Sequence, residues 1–173
     1  IIRSKYKISE CLFEDTPSDA FDGDFSDGLI SNTTFRNCGN DAIDISGSKL
    51  RIDSVLIDNV GDKGISIGEK SILNGKNLKI QNSEIGITSK DYSIVKIDNI
   101  RISNTKVGFT AYQKKPEYGP GKIIINKYEL DNVDNTFLIE MGSSMIADNQ
   151  NITTTNKKVE KMLYGSMYGK NSK

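Results

Sequence analysis

The chain has 173 residues, its 23 basic residues balance its 23 acidic ones, and it contains neither histidine nor tryptophan. This length fits a single domain. The lack of histidine excludes mechanisms that need an imidazole, and a balanced charge without a basic run argues against a nucleic-acid partner. No apolar run approaches the roughly 20 residues that a membrane span needs, so we expect no membrane span.

An acidic stretch near the start of the chain is echoed 22 residues later. Asp19 recurs as Asp41, and Asp22 recurs as Asp44. A carboxylate that recurs at a fixed period belongs either to a stacked structural row or to a site. The internal repeat therefore has to be established first, because periods of about 20 to 50 residues indicate repeat architectures.

The repeat continues through most of the chain. One apolar residue before each polar turn marks it, at Phe13, Phe35, Ile57, Ile80, Ile102 and Leu130. These positions are separated by 22, 22, 23, 22 and 28 residues. Two positions later stand Asp15, Asn37, Asn59, Asn82, Asn104 and Asn132. We expect these amides to form a ladder from repeat to repeat that holds a buried bend together.

Short runs of alternating apolar and polar residues within each repeat predict half-buried strands. Three such strands in about 22 residues cannot bury their faces alone, so the repeats must stack. The predicted fold class is all-β, a parallel β-helix or solenoid of six to seven rungs over residues 1–149. Residues 150–173 are expected to form a C-terminal cap or flexible tail, with a short amphipathic helix over 157–164 as one option.

The order of elements along the chain adds four expectations. No cap precedes the first rung, which predicts an adjoining domain or partner at the N-terminal end. The segment 113–121, rich in proline and glycine, should leave the coil as a loop. Cys11 is expected to point inward and Cys38 to lie at a turn, both as free thiols. The outward positions of one strand per rung should form two rows, Asp22, Asp44, Ser66, Gly86, Gly108 and Asp24, Ser46, Gly68, Thr88, Thr110.

Stacking Asp22 on Asp44 and Asp19 on Asp41 would place like charges about 5 Å apart, which is unfavourable unless something relieves it. Three interpretations remain open. The four carboxylates could bind Ca²⁺, which prefers several oxygen ligands. They could supply a general acid and a nucleophile, since retaining glycosidases hold two carboxyl groups roughly 5–5.5 Å apart. They could also form a solvated row tempered by Lys63 and by turn amides.

Lysine and tyrosine side chains extend the candidate site. A lyase or epimerase needs a base and an electrophile to abstract the proton next to a uronate carboxylate, and a proton donor to return it. The candidate catalytic residues are Asp22, Asp44, Asp24 and Lys63. The candidate substrate-binding residues are Lys90, Tyr112, Lys114, Lys115 and Tyr118.

The isoleucine and asparagine rungs over about residues 6–148 resemble the right-handed parallel β-helix superfamily, which includes pectate lyases, polygalacturonases, alginate epimerases and phage tailspikes. Four motifs, at 19–24, 39–47, 61–69 and 114–119, also resemble a β-helix region of bacterial proteins that carry a spore-coat-type kinase domain. The resemblance implies a right-handed coil, an acidic polysaccharide as partner, and an extracellular or cell-surface location.

The motifs that accompany catalysis in this superfamily are missing. The chain has neither the Asp-Pro-His motif of alginate epimerases nor the Asn-Thr-Asp and Gly-Asp-Asp motifs of polygalacturonases. The predicted function is therefore binding or processing of a polysaccharide by a candidate lyase, epimerase or hydrolase. The alternative is a non-catalytic structural or assembly scaffold, as part of a larger protein.

Overall fold

A computed structural model of the chain describes residues 1–164. Eleven strands form one sheet that is wound into a coil, with one rung for each sequence repeat. Within the described residues, every pair of named strands is parallel except β10 (Ser144–Ala147) with β11 (Gln150–Asn151). The predicted all-β, parallel β-helix architecture is confirmed.

Each rung has three faces. The strands become longer from the first rungs to the later ones. The first two rungs consist of β1 (Lys5–Ser9), β2 (Leu12–Thr16), β3 (Phe21–Asp24), β4 (Asp27–Cys38) and β5 (Ile43–Ser46). The next four rungs are single strands that bend around the coil, β6 (Lys49–Gly68), β7 (Ile72–Lys90), β8 (Ile94–Tyr112) and β9 (Lys122–Ile139). We call the surfaces that contain β1, β2 and β3 the first, second and third faces.

The predicted asparagine ladder lies at the corner between the second and third faces. Its six backbones are left-handed, with φ between 53° and 58°, a conformation that Asn and Asp tolerate better than other side chains. Asn59 Nδ2 donates to Asn37 Oδ1 at 2.8 Å, and Asn104 Nδ2 donates to Asn82 Oδ1 at 3.1 Å. Asn82 itself donates to Asp58 Oδ1 at 2.7 Å, so the ladder changes partner there.

The ladder does not hold a buried bend, and this part of the prediction is wrong. The asparagine side chains are exposed along the outside of the corner. Buried support is provided instead by a serine column between the third and first faces, which the sequence reading missed. The backbone N–H of Ser26 donates to Ser48 Oγ at 2.8 Å, and that of Ser48 donates to Ser71 Oγ at 2.9 Å. These hydroxyls satisfy buried amides that strand pairing leaves unpaired.

The predicted outward rows of the third face are wrong from the fourth rung onwards. The 22-residue step persists, so that Ser66 pairs with Thr88 and Thr88 pairs with Thr110. The prediction had placed Gly86 and Gly108 in that row, two positions too early. Ile85 and Ile87 are both apolar and two residues apart, so the alternation pattern alone fits either of them as the core position and could not reveal the error.

Two apolar residues caused the error. The apolar side chains of Ile85 and Val107 indicate core positions in the sequence, but Ile85 pairs with Lys63 and Val107 pairs with Ile85, in an outward row. They are buried because a helix, α1 (Val159–Tyr164), lies across this part of the third face. The predicted helix over 157–164 is thus present, two residues shorter.

The insertions into the 22-residue repeat lie at one corner, and a compensating shift of one residue occurs at the asparagine corner, where Val60 pairs with Ser83 but Lys63 pairs with Ile85. Between the third face of one rung and the first face of the next, one extra residue lies between Gly68 and Ile72. At the equivalent corner two rungs later, β8 ends at Tyr112 and β9 begins at Lys122, so the segment 113–121 leaves the coil as predicted. The core register is unaffected by either insertion.

The prediction that Cys11 points inward is wrong, whereas Cys38 lies at a corner as predicted, directly after the left-handed Asn37. Cys11 is exposed, and Cys38 is buried in the core. Both are free thiols, as predicted. Cys11 lies between β1 and β2 rather than within a strand, and this explains why its side chain does not point inward.

We expect Gly61→Ala to lower the free energy of unfolding by about 1–3 kcal/mol. A Cβ atom at Gly61 would lie 2.3 Å from the carbonyl oxygen of Gly39, which is backbone and cannot move aside without disturbing the neighbouring rung. Urea denaturation followed by circular dichroism measures the change. Gly23→Ala is the control, since its new Cβ would meet the Phe21 ring at 3.0 Å, a side chain that can shift. Equal losses in the two variants would contradict this explanation.

Candidate functional site

Two carboxylates stand side by side on the third face of the first two rungs. Asp22 pairs directly with Asp44 across β3 and β5, and both side chains point outward. Adjacent parallel strands are about 4.8 Å apart, so the backbones that carry the two carboxylates are one strand spacing from each other. Asp24 pairs with Ser46 in the neighbouring outward row. The structure therefore brings three of the predicted catalytic residues onto one accessible surface.

This carboxylate surface favours protonation of one member. Partial burial raises the pKa of Asp22 above its ordinary value, and the negative charges of Asp24, Asp44 and Asp19 raise it further. A group that shares its surface with other carboxylates releases its proton less readily. Asp22 is thus the member of the pair best suited to donate a proton.

The other two predicted metal ligands are occupied by hydrogen bonds. Asp19 Oδ1 accepts hydrogen bonds from Asn40 Nδ2 at 2.6 Å and from the backbone N–H of Asp41 at 2.9 Å. Asp41 Oδ1 accepts one from the backbone N–H of Lys63 at 3.0 Å. Within residues 1–164, no group of three or more His, Cys, Asp or Glu side chains is placed to hold a metal ion. A Ca²⁺ site at these four carboxylates stays a prediction.

Lys63 lies in a buried ion cluster. Its Nζ is 2.6 Å from Asp62 Oδ2 and 3.4 Å from Asp41 Oδ1, and its side chain is 5 % exposed. Burial works against the charge of Lys63, but Asp41 and Asp62 outweigh it and raise the pKa of the lysine above its ordinary value. Tyr164 of α1 covers the cluster, with its ring centroid 5.3 Å from Nζ. The lysine is therefore held in its charged form beneath the helix.

Lys90 reaches the carboxylate pair from two rungs away. Its Nζ donates to Ser66 Oγ at 2.8 Å and lies 3.9 Å from Asp44 Oδ1. Gly68 makes this reach possible, because a Cβ atom there would lie 2.9 Å from Lys90 Cε. Burial lowers the pKa of Lys90, and the nearby Asp44 charge opposes that shift. Lys90, which the sequence analysis names as a candidate substrate-binding residue, therefore adjoins the carboxylate pair.

The loop 113–121 packs along the corner instead of folding over the carboxylate pair. Asp91 Oδ1 accepts hydrogen bonds from the backbone N–H groups of Lys114 and Lys115, both at 2.8 Å. The Lys115 side chain forms an ion pair with Glu69, and the centroid of the Tyr118 ring lies 5.8 Å from Lys70 Nζ. Within the described chain, the loop has no hydrogen bond or ion pair with the aspartates of the first two rungs. The carboxylate pair is left open to solvent.

Helix α1 closes the third face beyond the third rung. Val159 and Leu163 are buried against Ile85, Val107 and Tyr112. Tyr112 is fully buried, and burial together with the neighbouring Tyr164 raises the pKa of its hydroxyl well above the ordinary value. The open part of the third face therefore ends where the helix begins, and Tyr112 has no surface available to a substrate.

A separate trough of about 790 Å³ runs along the asparagine corner. It is lined by the ladder from Asp15 to Asn132, by glycines such as Gly39, and by the exposed ion pair of Lys106 with Glu84. Asn37, Asn82 and Asn132 of this lining use their amides in the ladder bonds. The trough does not reach the Asp22–Asp44 pair, so we treat it as a by-product of the corner.

Comparison with known families agrees with this architecture. Residues 2–159 match the family model described as a right-handed β-helix region. The chain belongs to the right-handed β-helix family. No significant match was found among curated proteins or solved structures.

Membership of the β-helix family confirms the predicted superfamily and the right-handed coil. The narrower resemblance to β-helix regions of spore-coat-type kinase proteins gains no support from it. The family assignment concerns the fold, which in general does not decide activity. Within residues 1–164, no helix is long and apolar enough to cross a membrane.

Proposed function

We propose that this β-helix processes a polysaccharide at the open part of its third face. The observation that carries the proposal is the Asp22–Asp44 pair, held in register on adjacent strands, with Asp22 exposed, Asp44 half-buried, and the amino group of Lys90 next to Asp44. A backbone spacing of about 4.8 Å allows the two carboxyl groups to stand roughly 5–5.5 Å apart, the separation used by retaining glycosidases. Hydrolysis fits this geometry better than elimination or epimerisation.

In the proposed reaction Asp22 is the general acid and Asp44 is the nucleophile. Burial and the surrounding carboxylates raise the pKa of Asp22, and in the proposed reaction it protonates the departing glycosidic oxygen. Asp44 attacks the anomeric carbon to form a covalent glycosyl intermediate, and water activated by Asp22 then releases the sugar. Lys90, 3.9 Å from Asp44, helps to keep the two carboxylates at this spacing.

Elimination and epimerisation receive less support. Lys63 is charged, buried and covered by Tyr164, so it is poorly suited to remove a proton from a substrate. Tyr112 lies beneath α1 and is poorly placed to return one. Lys90 remains as a base with a lowered pKa, but its side chain is only 11 % exposed and its amino group donates to Ser66.

One observation favours the alternative of a non-catalytic scaffold. Helix α1 covers the third face over Ile85, Val107 and Leu138, which leaves only a short open site around the carboxylate pair. A polysaccharide scaffold needs binding but no acid and nucleophile. The two functions differ in what is measured. A catalytic domain shows turnover that is lost when the pair is substituted, whereas a scaffold binds polysaccharide without turnover.

The proposed function is tested by incubating the protein with neutral and uronate polysaccharides and measuring new reducing ends. Asp22→Asn and Asp44→Asn are each expected to reduce the rate by roughly 100-fold or more, because each removes an acid–base or nucleophilic group. The control is Asp131→Asn, which neutralises an exposed carboxylate on the second face. Unchanged rates in both variants, or unsaturated products, would rule out the assigned mechanism.

A further inference from the structure

The first face of the coil carries a surface charge that the overall neutrality of the chain conceals. Strand pairing assembles its outward positions into two rows that run parallel to the coil axis. The first row is Lys5, Asp27, Lys49, Ile72, Ile94, Lys122 and Ser144. The second row is Lys7, Leu29, Arg51, Asn74, Lys96, Ile124 and Ile146. Six cations in these two rows thus accompany a single carboxylate, Asp27. Two further carboxylates beside the rows, Asp53 and Asp98, are engaged by Lys76 and Asn126.

These cations are free to interact with a partner. All six are exposed, and none forms an ion pair with a carboxylate in residues 1–164. This differs from the third face, where Lys63 and Lys90 are turned towards aspartates. Apolar side chains, Leu29 among them, lie between the cations and provide contact area that is not charged.

The surface is also shaped to receive an extended chain. Two open depressions, of about 720 and 630 Å³, lie along it and share Leu29, Arg51 and Asn74 in their linings. The first reaches Lys5 and Lys7 at the start of the coil, and the second reaches beyond the fifth rung. Together they form one shallow track along the coil axis, which we call the basic track.

We propose that the basic track binds a linear acidic polysaccharide. Lys5 and Lys49 are two rungs apart, and so are Lys7 and Arg51, which corresponds to about 10 Å along the axis. Regularly spaced cations suit a polymer with regularly spaced carboxylate or sulfate groups, whereas a small anion would need charges that converge on one point. Because the cations stand on a rigid sheet, binding loses little backbone entropy.

Nucleic acid is the competing polyanion, and two observations disfavour it. The two rows contain no aromatic side chain on which bases could stack, a feature that single-strand binding surfaces use. The chain carries no net charge, whereas nucleic-acid-binding domains are usually strongly basic overall. A polysaccharide with fewer charges per unit length matches a surface with about one cation per rung.

The basic track does not depend on the chemistry proposed for Asp22 and Asp44. It adds a separate surface and specifies the class of polymer that the protein recognises. An acidic polymer would be repelled by the carboxylates of the third face, so attraction has to come from another part of the coil. If the track binds polymer while no substrate is cleaved, this inference stands and the hydrolytic function falls.

The experiment measures binding of the full chain to polygalacturonate by isothermal titration calorimetry at several ionic strengths. The test variant is Lys49→Glu/Arg51→Glu. The control variant is Lys79→Glu/Lys127→Glu, two exposed lysines outside the rows that change the net charge by the same amount. We expect the test variant to bind roughly tenfold or more weakly and the control to stay within about threefold. The test variant removes two cations of the track that attract the polymer and adds two carboxylates that repel it.

Each outcome bears on the proposal. Weaker binding by the test variant alone, together with binding that declines as salt is added, supports it. Equal losses in the two variants would overturn it, since net charge rather than the track would then control affinity. Absence of binding to polygalacturonate at low salt would also overturn it, as would tighter binding to duplex DNA than to polygalacturonate. Measuring new reducing ends from the same polymer separates binding from turnover.

Discussion

Replacing Lys63 by methionine is expected to lower the free energy of unfolding by about 3–5 kcal/mol. The lysine is the cation of a buried cluster in which the side chains of Asp41 and Asp62 are 4 % and 10 % exposed. Methionine fills a similar volume but leaves two neighbouring carboxylates without a counter-charge. It also removes the cation that Tyr164 covers, so α1 should loosen. Urea denaturation at neutral pH measures the total loss.

A surface ion pair provides the matched control for Lys63. Lys106 Nζ lies 2.6 Å from Glu84 Oε2, as close as Lys63 lies to Asp62, but both side chains are at least 32 % exposed. Lys106→Met should therefore cost no more than about 1 kcal/mol. The triple variant Lys63→Met/Asp41→Asn/Asp62→Asn should recover part of the loss. Similar small losses for Lys63→Met and Lys106→Met would show that the buried cluster does not contribute as described.

The second large effect is a dependence of stability on pH that originates at Asp41. Burial raises the pKa of Asp41 to about 6, with Asp62 reinforcing the shift and Lys63 opposing it. The folded protein therefore binds this proton at a higher pH than the unfolded chain, whose value is near 3.8. The associated stability is fully present below about pH 3.8 and is lost as the pH rises through about 6, an effect of up to about 3 kcal/mol.

Comparison with Asp41→Asn isolates this contribution, because other carboxylates also titrate in the same range. The difference in unfolding free energy between the wild type and the variant should change by up to about 3 kcal/mol as the pH rises from about 4 to neutral. Lys63 contributes nothing in this window, since its own pKa is raised and its charge is lost only in strongly basic solution. Parallel pH profiles for the two proteins would show that Asp41 titrates normally.

The fold was predictable because its signal is periodic. The asparagine column repeats every 22 or 23 residues over most of the chain, and each member marks the same left-handed corner. Strands that cannot bury their faces alone leave stacking as the solution. The pairing of Asp22 with Asp44 followed from the same period without further information.

The parts of the site that depend on distant segments were not predictable in this way. Ile85 and Val107 look like core residues in sequence, and only α1 reveals that they face outward. Lys90 reaches Asp44 because Gly68, a rung earlier, lacks a side chain. A local period cannot show either relation, since each depends on what packs against the strand.

The basic track was missed for a related reason. Its cations recur at about twice the repeat, with Lys5 and Lys49 separated by 44 residues and Arg51 and Lys96 by 45. Acidic and apolar residues occupy the rungs between them, Asp27 and Leu29 among these. No basic run is visible in the chain, although the folded surface has one.

The corner at which the coil tolerates extra residues has an evolutionary consequence. Both insertions into the repeat, the residue added before Ile72 and the loop 113–121, lie between the third face and the first. Insertions at this corner leave the stacked core in register, so they are subject to little selection for stability. The same corner separates the acidic pair from the basic track. New loops gained there could alter recognition on both sides while the solenoid itself is inherited unchanged.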